Sequence, residues 1–210
     1  RNYAIRKHLL EYDDVMNQQR IIVYDRRNYA LHGENFASEM NEIIGEYIDV
    51  LISMYCENPD STTHWDWTGL NEDILSTLAV DIKQDELEIN NAQELKDSLT
   101  QVANLVLTNK IKLVDEKVFE DFEKYVVLRT IDEKWREHLY AMDQLREGIN
   151  LRAYGQKNPL IEYKREGFGM FAEMMGDTNR ETLKRIFRAR INTVEEKPAQ
   201  QQNTPRNLKV

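Results

Sequence analysis

Apolar residues in this chain recur every three or four positions over two stretches of roughly thirty residues each, a spacing that commits both stretches to long α-helices. From Ile5, positions 5, 9, 12, 16, 19, 23, 26 and 30 carry Ile, Leu, Tyr, Met, Gln, Val, Arg and Ala, which is a heptad seam. A second row, His8, Val15, Ile22 and Tyr29, widens the stripe, as expected of a helix packed by more than one neighbour. At about 1.5 Å per residue such a helix reaches some 45 Å. It is expected to serve as a spine, with the His32-Gly33 step as its stop. The second stretch runs through positions 118, 122, 125, 128, 131, 135, 139, 142, 145 and 149.

Shorter helices fill the space between. One is expected from Ser38, as N-cap, to Cys56, burying Ile43, Ile44, Tyr47, Ile48, Leu51 and Ile52 and ending before Asn58-Pro59-Asp60. Trp65 to Leu70 reads as a loop whose two indoles anchor a satellite core. A short helix then covers Asn71 to Leu78, a brief extended strand Val80-Asp81-Ile82, and a further helix Ala92 to about Val114. After the second long stretch, Asn158-Pro159 restarts helix: the asparagine can cap, and proline tolerates the first helical position. That last helix is expected to reach about Arg190, packing through Tyr163, Phe168, Phe171, Met174, Met175, Leu183, Ile186 and Phe187. Two long helices joined by a short loop form an antiparallel hairpin. With 8 Gly and 4 Pro against 31% charged residues, the composition supports an all-α fold. The divisions are a first long helix, 1–33; a small helical lobe, 34–115; the hairpin, 116–190; and a tail, 191–210, too polar to order itself.

Charge separates these parts. Between Glu34 and Asp115 there are 17 Asp or Glu against 4 Lys, and the flanks carry 24 basic and 20 acidic residues. The acidic lobe would repel phosphate backbones and anionic headgroups, which argues against nucleic acid as a partner. A lone Cys56 excludes an internal disulfide framework and suits a reducing compartment, so the cytoplasm is the expected location. No apolar run approaches the roughly 18 residues of a membrane span. The chain opens without methionine inside a helical pattern, as a piece of something longer would.

Catalytic patterns are missing. There is no Gly-x-x-x-x-Gly-Lys-Ser/Thr phosphate loop, and Gly167-Phe-Gly169 sits inside a helical stretch with no strand before it. His8, His32, His64 and His138 share no metal-ligand spacing, and adjacent Asp13 and Asp14 diverge by about 100° on a helix. No cofactor or metal site is therefore expected within these residues. The hairpin tip stands out instead. Tyr154 has no local apolar partner and is flanked by Arg152, Gln156 and Lys157, with Arg146, Lys164 and Arg165 on the adjoining turns. A large amphipathic ring amid positive charge can grip a polypeptide without sequence preference. Equally, the ring can fold back on the hairpin as an ordinary loop tyrosine.

Three segments carry a resemblance. Leu10-Glu-Tyr-Asp-Asp-Val-Met-Asn-Gln-Gln-Arg20, Thr130-Ile-Asp-Glu-Lys-Trp-Arg-Glu-His-Leu-Tyr-Ala-Met-Asp-Gln-Leu-Arg146 and Leu151-Arg-Ala-Tyr-Gly-Gln-Lys-Asn-Pro-Leu-Ile-Glu-Tyr-Lys-Arg165 closely resemble the SecA family, ATPase motors of the bacterial Sec preprotein translocase. The resemblance covers about residues 1 to 190, loosely in the acidic lobe. It implies a helical scaffold, split in sequence, with a helical wing inserted, and makes the hairpin a two-helix finger. It implies that the tip, with Tyr154 foremost and Arg152, Gln156 and Lys157 beside it, contacts the SecYEG channel and the unfolded preprotein at the cytoplasmic face of the inner membrane. ATP and magnesium would be bound by motor domains upstream of Arg1, and these residues would catalyse nothing alone. The family's cysteine-rich zinc tail has no counterpart before Val210. A different reading of the seam is a free-standing coiled-coil adaptor that binds a partner helix between Ile5 and Ala30.

Overall fold

The computed structural model describes residues 2–33, 36–84, 89–152 and 158–190, with side chains from residue 10 and, ahead of the hairpin loop, up to residue 149. Six α-helices occupy most of these residues: α1 (Asn2–His32), α2 (Phe36–Tyr55), α3 (Trp67–Leu78), α4 (Ala92–Ile111), α5 (Glu116–Arg152) and α6 (Pro159–Arg188), with a 3₁₀ turn at Thr62–His64. No strand occurs among the described residues, and the fold is all-α. The expected tail, 191–210, lies outside them.

Local chemistry sets the boundaries. α1 stops at His32, where the Gly33 N–H closes on the Tyr29 carbonyl at 2.7 Å. A Cβ at position 33 would stand 2.6 Å from that carbonyl, so only glycine allows the closure. The Asn158 side chain accepts from the Leu160 N–H at 3.0 Å and Pro159 opens α6, as the sequence indicates. Asn91 caps α4 by accepting from the Glu94 N–H at 2.9 Å, and the Glu94 carboxylate in turn accepts from the Asn90 N–H at 2.8 Å.

Three expectations need correction here. Ser38 lies inside α2 and does not cap it; the helix begins at Phe36, whose buried ring anchors the first turn. α3 begins at Trp67, ahead of Asn71, because the Asp66 carboxylate accepts from the Gly69 N–H at 3.0 Å and caps the helix early. The Val80-Asp81-Ile82 segment is not a strand. Ala79 turns the chain with φ 56°, and Asn71 then satisfies the segment locally, accepting from the Ile82 N–H at 2.9 Å and donating to Asp81 at 3.0 Å. A side-chain amide does there what a neighbouring strand would do.

α5 and α6 run antiparallel and pack along their length; α1 lies against both, α2 and α3 pack on α6, and α4 packs on α2. One apolar core threads all six helices, from Val23 and Ala30 of α1 through Ile44 and Ile48 of α2, Leu70 and Ile74 of α3 and Leu95 and Leu99 of α4 to Ile131 of α5 and Leu183 of α6. A smaller core, Met142, Leu145, Ile149 and Tyr163, lies near the hairpin loop.

The expected seams are partly redrawn. Gln19, Val23 and Ala30 of α1 are buried, but Ile22 and Tyr29 of the second row are 50% and 43% exposed. On α5, Val118 and Tyr125 face solvent, while Phe119, Glu123, Val126 and Thr130 are buried. A straight α-helix drifts about 20° per heptad from a 3.5-residue repeat, so an apolar row counted in threes and fours leaves the contact face over thirty residues. Phe168, expected in the α6 packing face, is 73% exposed.

Candidate functional site

Of the expected tip residues, Tyr154, Gln156 and Lys157 lie outside the described residues; Arg152 is the last residue of α5, and its side chain lies outside them as well. What is described is the stem that carries the tip. Met142, Leu145 and Ile149 project from α5 onto Tyr163 of α6, and Tyr12, Val15 and Met16 of α1 close over them. Tyr163 is 1% exposed, and its ring lies 4.8 Å from that of Tyr12, tilted by 57°. Burial pushes the Tyr163 hydroxyl above its ordinary pKa, so it stays protonated.

The basic collar divides. Arg146 turns back onto the spine, 5.8 Å over the Tyr12 ring and 3.4 Å from Asp13. Arg165 pairs with Glu162 on its own helix, whereas Lys164 is exposed. Asp13 thus faces α5 while Asp14 accepts from Gln18 along α1 at 3.1 Å, the divergence expected of adjacent carboxylates.

One helical level above the stem is a buried polar joint. Gln19 of α1 donates from Nε2 to the Gly167 carbonyl of α6 at 3.0 Å, and its Oε1 lies 2.8 Å from Nε2 of His138 on α5. A carbonyl can only accept, so Gly167 orients the amide; the amide oxygen can only accept, so His138 carries its proton on Nε2. Burial lowers the His138 pKa and keeps the ring neutral. Trp135 stacks on this ring and Phe171 meets it at a tilt, each at 5.6 Å between centroids. A Cβ on Gly167 would lie 2.7 Å from Cε at the flexible end of the Met142 side chain. The sequence carried one signal of this joint, an amide in a mostly apolar seam, a kind of residue that sets register in packed helices.

Two more polar clusters tie α2 and α3 to the hairpin. Arg26 of α1 reaches Glu39 of α2 at 3.4 Å and donates to Asn179 of α6 at 2.7 Å, while Asn179 donates to Glu46 of α2 at 2.6 Å. Burial pushes the Glu39 carboxyl up, and the Arg26 guanidinium pulls it back. Asp73 of α3 pairs with Arg180 of α6 and accepts from the Tyr55 hydroxyl of α2 at 2.6 Å.

Gly167 and Gly169 are helical, His138 is in the core, and His32 and His64 are exposed. Among the described residues no group of three or more His, Cys, Asp or Glu could hold a metal ion, and no helix is long and apolar enough to cross a membrane.

A long spine packed across both arms of an antiparallel hairpin, with a small helical lobe against the hairpin's second arm, defines an all-α scaffold. The family model for the SecA wing and scaffold domain matches residues 1–190, and the chain belongs to the SecA family. It is similar to the protein translocase subunit SecA of Prosthecochloris aestuarii, 42% identical over 189 residues covering 89% of this chain and 18% of that protein. It is also similar to the subunits of Desulforamulus reducens and Pelotomaculum thermopropionicum, each 39% identical, covering 96% and 98% of this chain and 23% of each relative. The chain thus spans about a fifth of the length of the curated relatives it matches.

Proposed function

We propose that these residues form the scaffold and wing of a preprotein translocase motor and convert ATP hydrolysis elsewhere in the motor into movement of an unfolded polypeptide through the SecYEG channel. In this reading residues 1–33 and 116–190 are the scaffold, 34–115 are the wing, and α5 and α6 are the two-helix finger. Its loop, with Tyr154 foremost and Arg152, Gln156 and Lys157 around it, grips the polypeptide at the channel mouth. ATP and magnesium are bound by motor domains upstream in the full-length protein, and the scaffold contributes mechanics only. The motor works at the cytoplasmic face of the inner membrane, held there by the channel.

The observation that supports this reading best is the clamped stem: a hairpin fixed at Tyr163, Gln19 and His138 is a stiff lever, and the basic loop is at its end. The adaptor reading fares worse, because α1 spends its seam on its own hairpin at Gln19, Val23 and Ala30. The apolar residues left on its outer face, Leu10, Ile21, Tyr24 and Leu31, suit the upstream domains.

Tyr154→Ala in the full-length motor tests the reading. On this reading the ring packs against nothing in the hairpin, so the melting temperature should stay nearly unchanged, within about 0.5 kcal/mol of stability, while transport falls strongly and Tyr154→Phe retains more of it. Equal losses of stability and transport would mean that the ring is part of the hairpin's packing.

A further inference from the structure

We infer that Gln19 is a positioning residue that locks the spine to both arms of the hairpin at once, so that the finger moves as one body with α1. The inference rests on the finger reading above and adds the place where motion passes from spine to finger.

The geometry is specific. One amide uses its acceptor on α5, at His138, and its donor on α6, at the Gly167 carbonyl. Gln19 is 6% exposed and His138 4%, so water does not replace either partner. Sliding α1 by a single turn, about 5.4 Å, would strand the Gln19 amide and the His138 N–H together, and unpaired buried polar groups are costly. Sliding one arm against the other breaks one of the two bonds. The joint therefore has one satisfied arrangement, and neighbouring groups reinforce it. Trp135 and Phe171 hold the imidazole plane. Apolar contacts alone would tolerate small slips, because methyl and methylene surfaces have no direction. An amide with two fixed partners does not.

A purely structural role makes a different prediction. If Gln19 merely satisfies a buried histidine, removing both polar groups should be harmless, since an apolar pair of similar shape replaces a buried hydrogen bond at little cost. If the amide sets register, the same double change should restore stability and leave coupling broken.

The test compares Gln19→Leu, His138→Phe and the double variant in the full-length motor, reading melting temperature, ATP turnover and polypeptide transported per ATP hydrolysed. Each single variant should lower transport per ATP by roughly two- to thirtyfold, the span for residues that couple distant sites, with ATP turnover near wild type. The double variant should regain melting temperature and stay uncoupled. Gln19→Met, which keeps the length of the side chain and offers a hydrogen bond to neither partner, should be uncoupled too, and it serves if the leucine variant fails to fold. Recovery of transport together with melting temperature in the double variant would overturn the inference. So would wild-type transport per ATP in Gln19→Leu beside a Tyr154→Ala variant that is impaired. Wild-type transport in both would overturn the finger reading and this inference with it.

Discussion

Gln19 on α1 and His138 on α5, 119 positions apart in sequence, share a buried 2.8 Å hydrogen bond. The contact sits between two apolar cores, one threading all six helices and one at the hairpin stem. Stability along the hairpin should accordingly be graded by burial at the stem.

At the stem, Tyr163→Ala is expected to cost about 3 to 5 kcal/mol, the range for truncating a fully buried aromatic residue. Half-buried Tyr12, which covers Tyr163 and carries Arg146, should cost less, about 1 to 3 kcal/mol on the same scale. Exposed Gln18→Ala should stay within about 0.5 kcal/mol. Urea melts of the three variants decide this, and equal effects would mean that α1 does not close the stem.

Glu123 should make stability depend on pH. Burial, with a smaller contribution from Glu120, raises its carboxyl from the ordinary 4.5 to about 7. The folded chain then holds a proton that the unfolded chain releases between these values. Stability from this group is present below about pH 4.5 and lost as pH rises through 7. Glu123→Gln should therefore stabilise the protein at pH 8, by on the order of 1 to 3 kcal/mol, and change little at pH 4.5. Paired melts at the two pH values check it, and an equal gain at both would contradict a buried, neutral carboxyl.

Cys56 should report unfolding. Burial pushes its thiol up to about 11 from 9.0. Two units leave about a hundredfold less thiolate at pH 8, so labelling by a thiol reagent should be at least that much slower in buffer than in denaturant. Equal rates would mean that the fold opens freely at this position.

Much of this architecture was legible in the chain. Helix boundaries written in one or two residues, the stop at Gly33 and the start at Asn158-Pro159, are where the structure has them, because caps act over one turn and need no tertiary partner. The all-α class followed from periodicity. Positions such as Val118, Tyr125 and Phe168 were misplaced because apolar identity does not say which of two flanking faces a straight helix turns inward. The early start of α3 and the unpaired Val80–Ile82 segment depend on Asp66 and Asn71 reaching the backbone, choices that propensity does not encode. At the site, the tip was noticed through its own composition. The Gln19 joint was not: its one signal was the amide in the seam, and its partners, His138 and Gly167, come from two other helices.

The central claim is that the finger tip touches moving polypeptide. It is tested most directly by placing a photoreactive group at position 154 of the full-length motor, and for comparison at Asp81, and irradiating during ATP-driven transport. The account predicts that position 154 captures the channel or the translocating chain and that position 81 captures far less channel. Capture of neither at position 154 would contradict it.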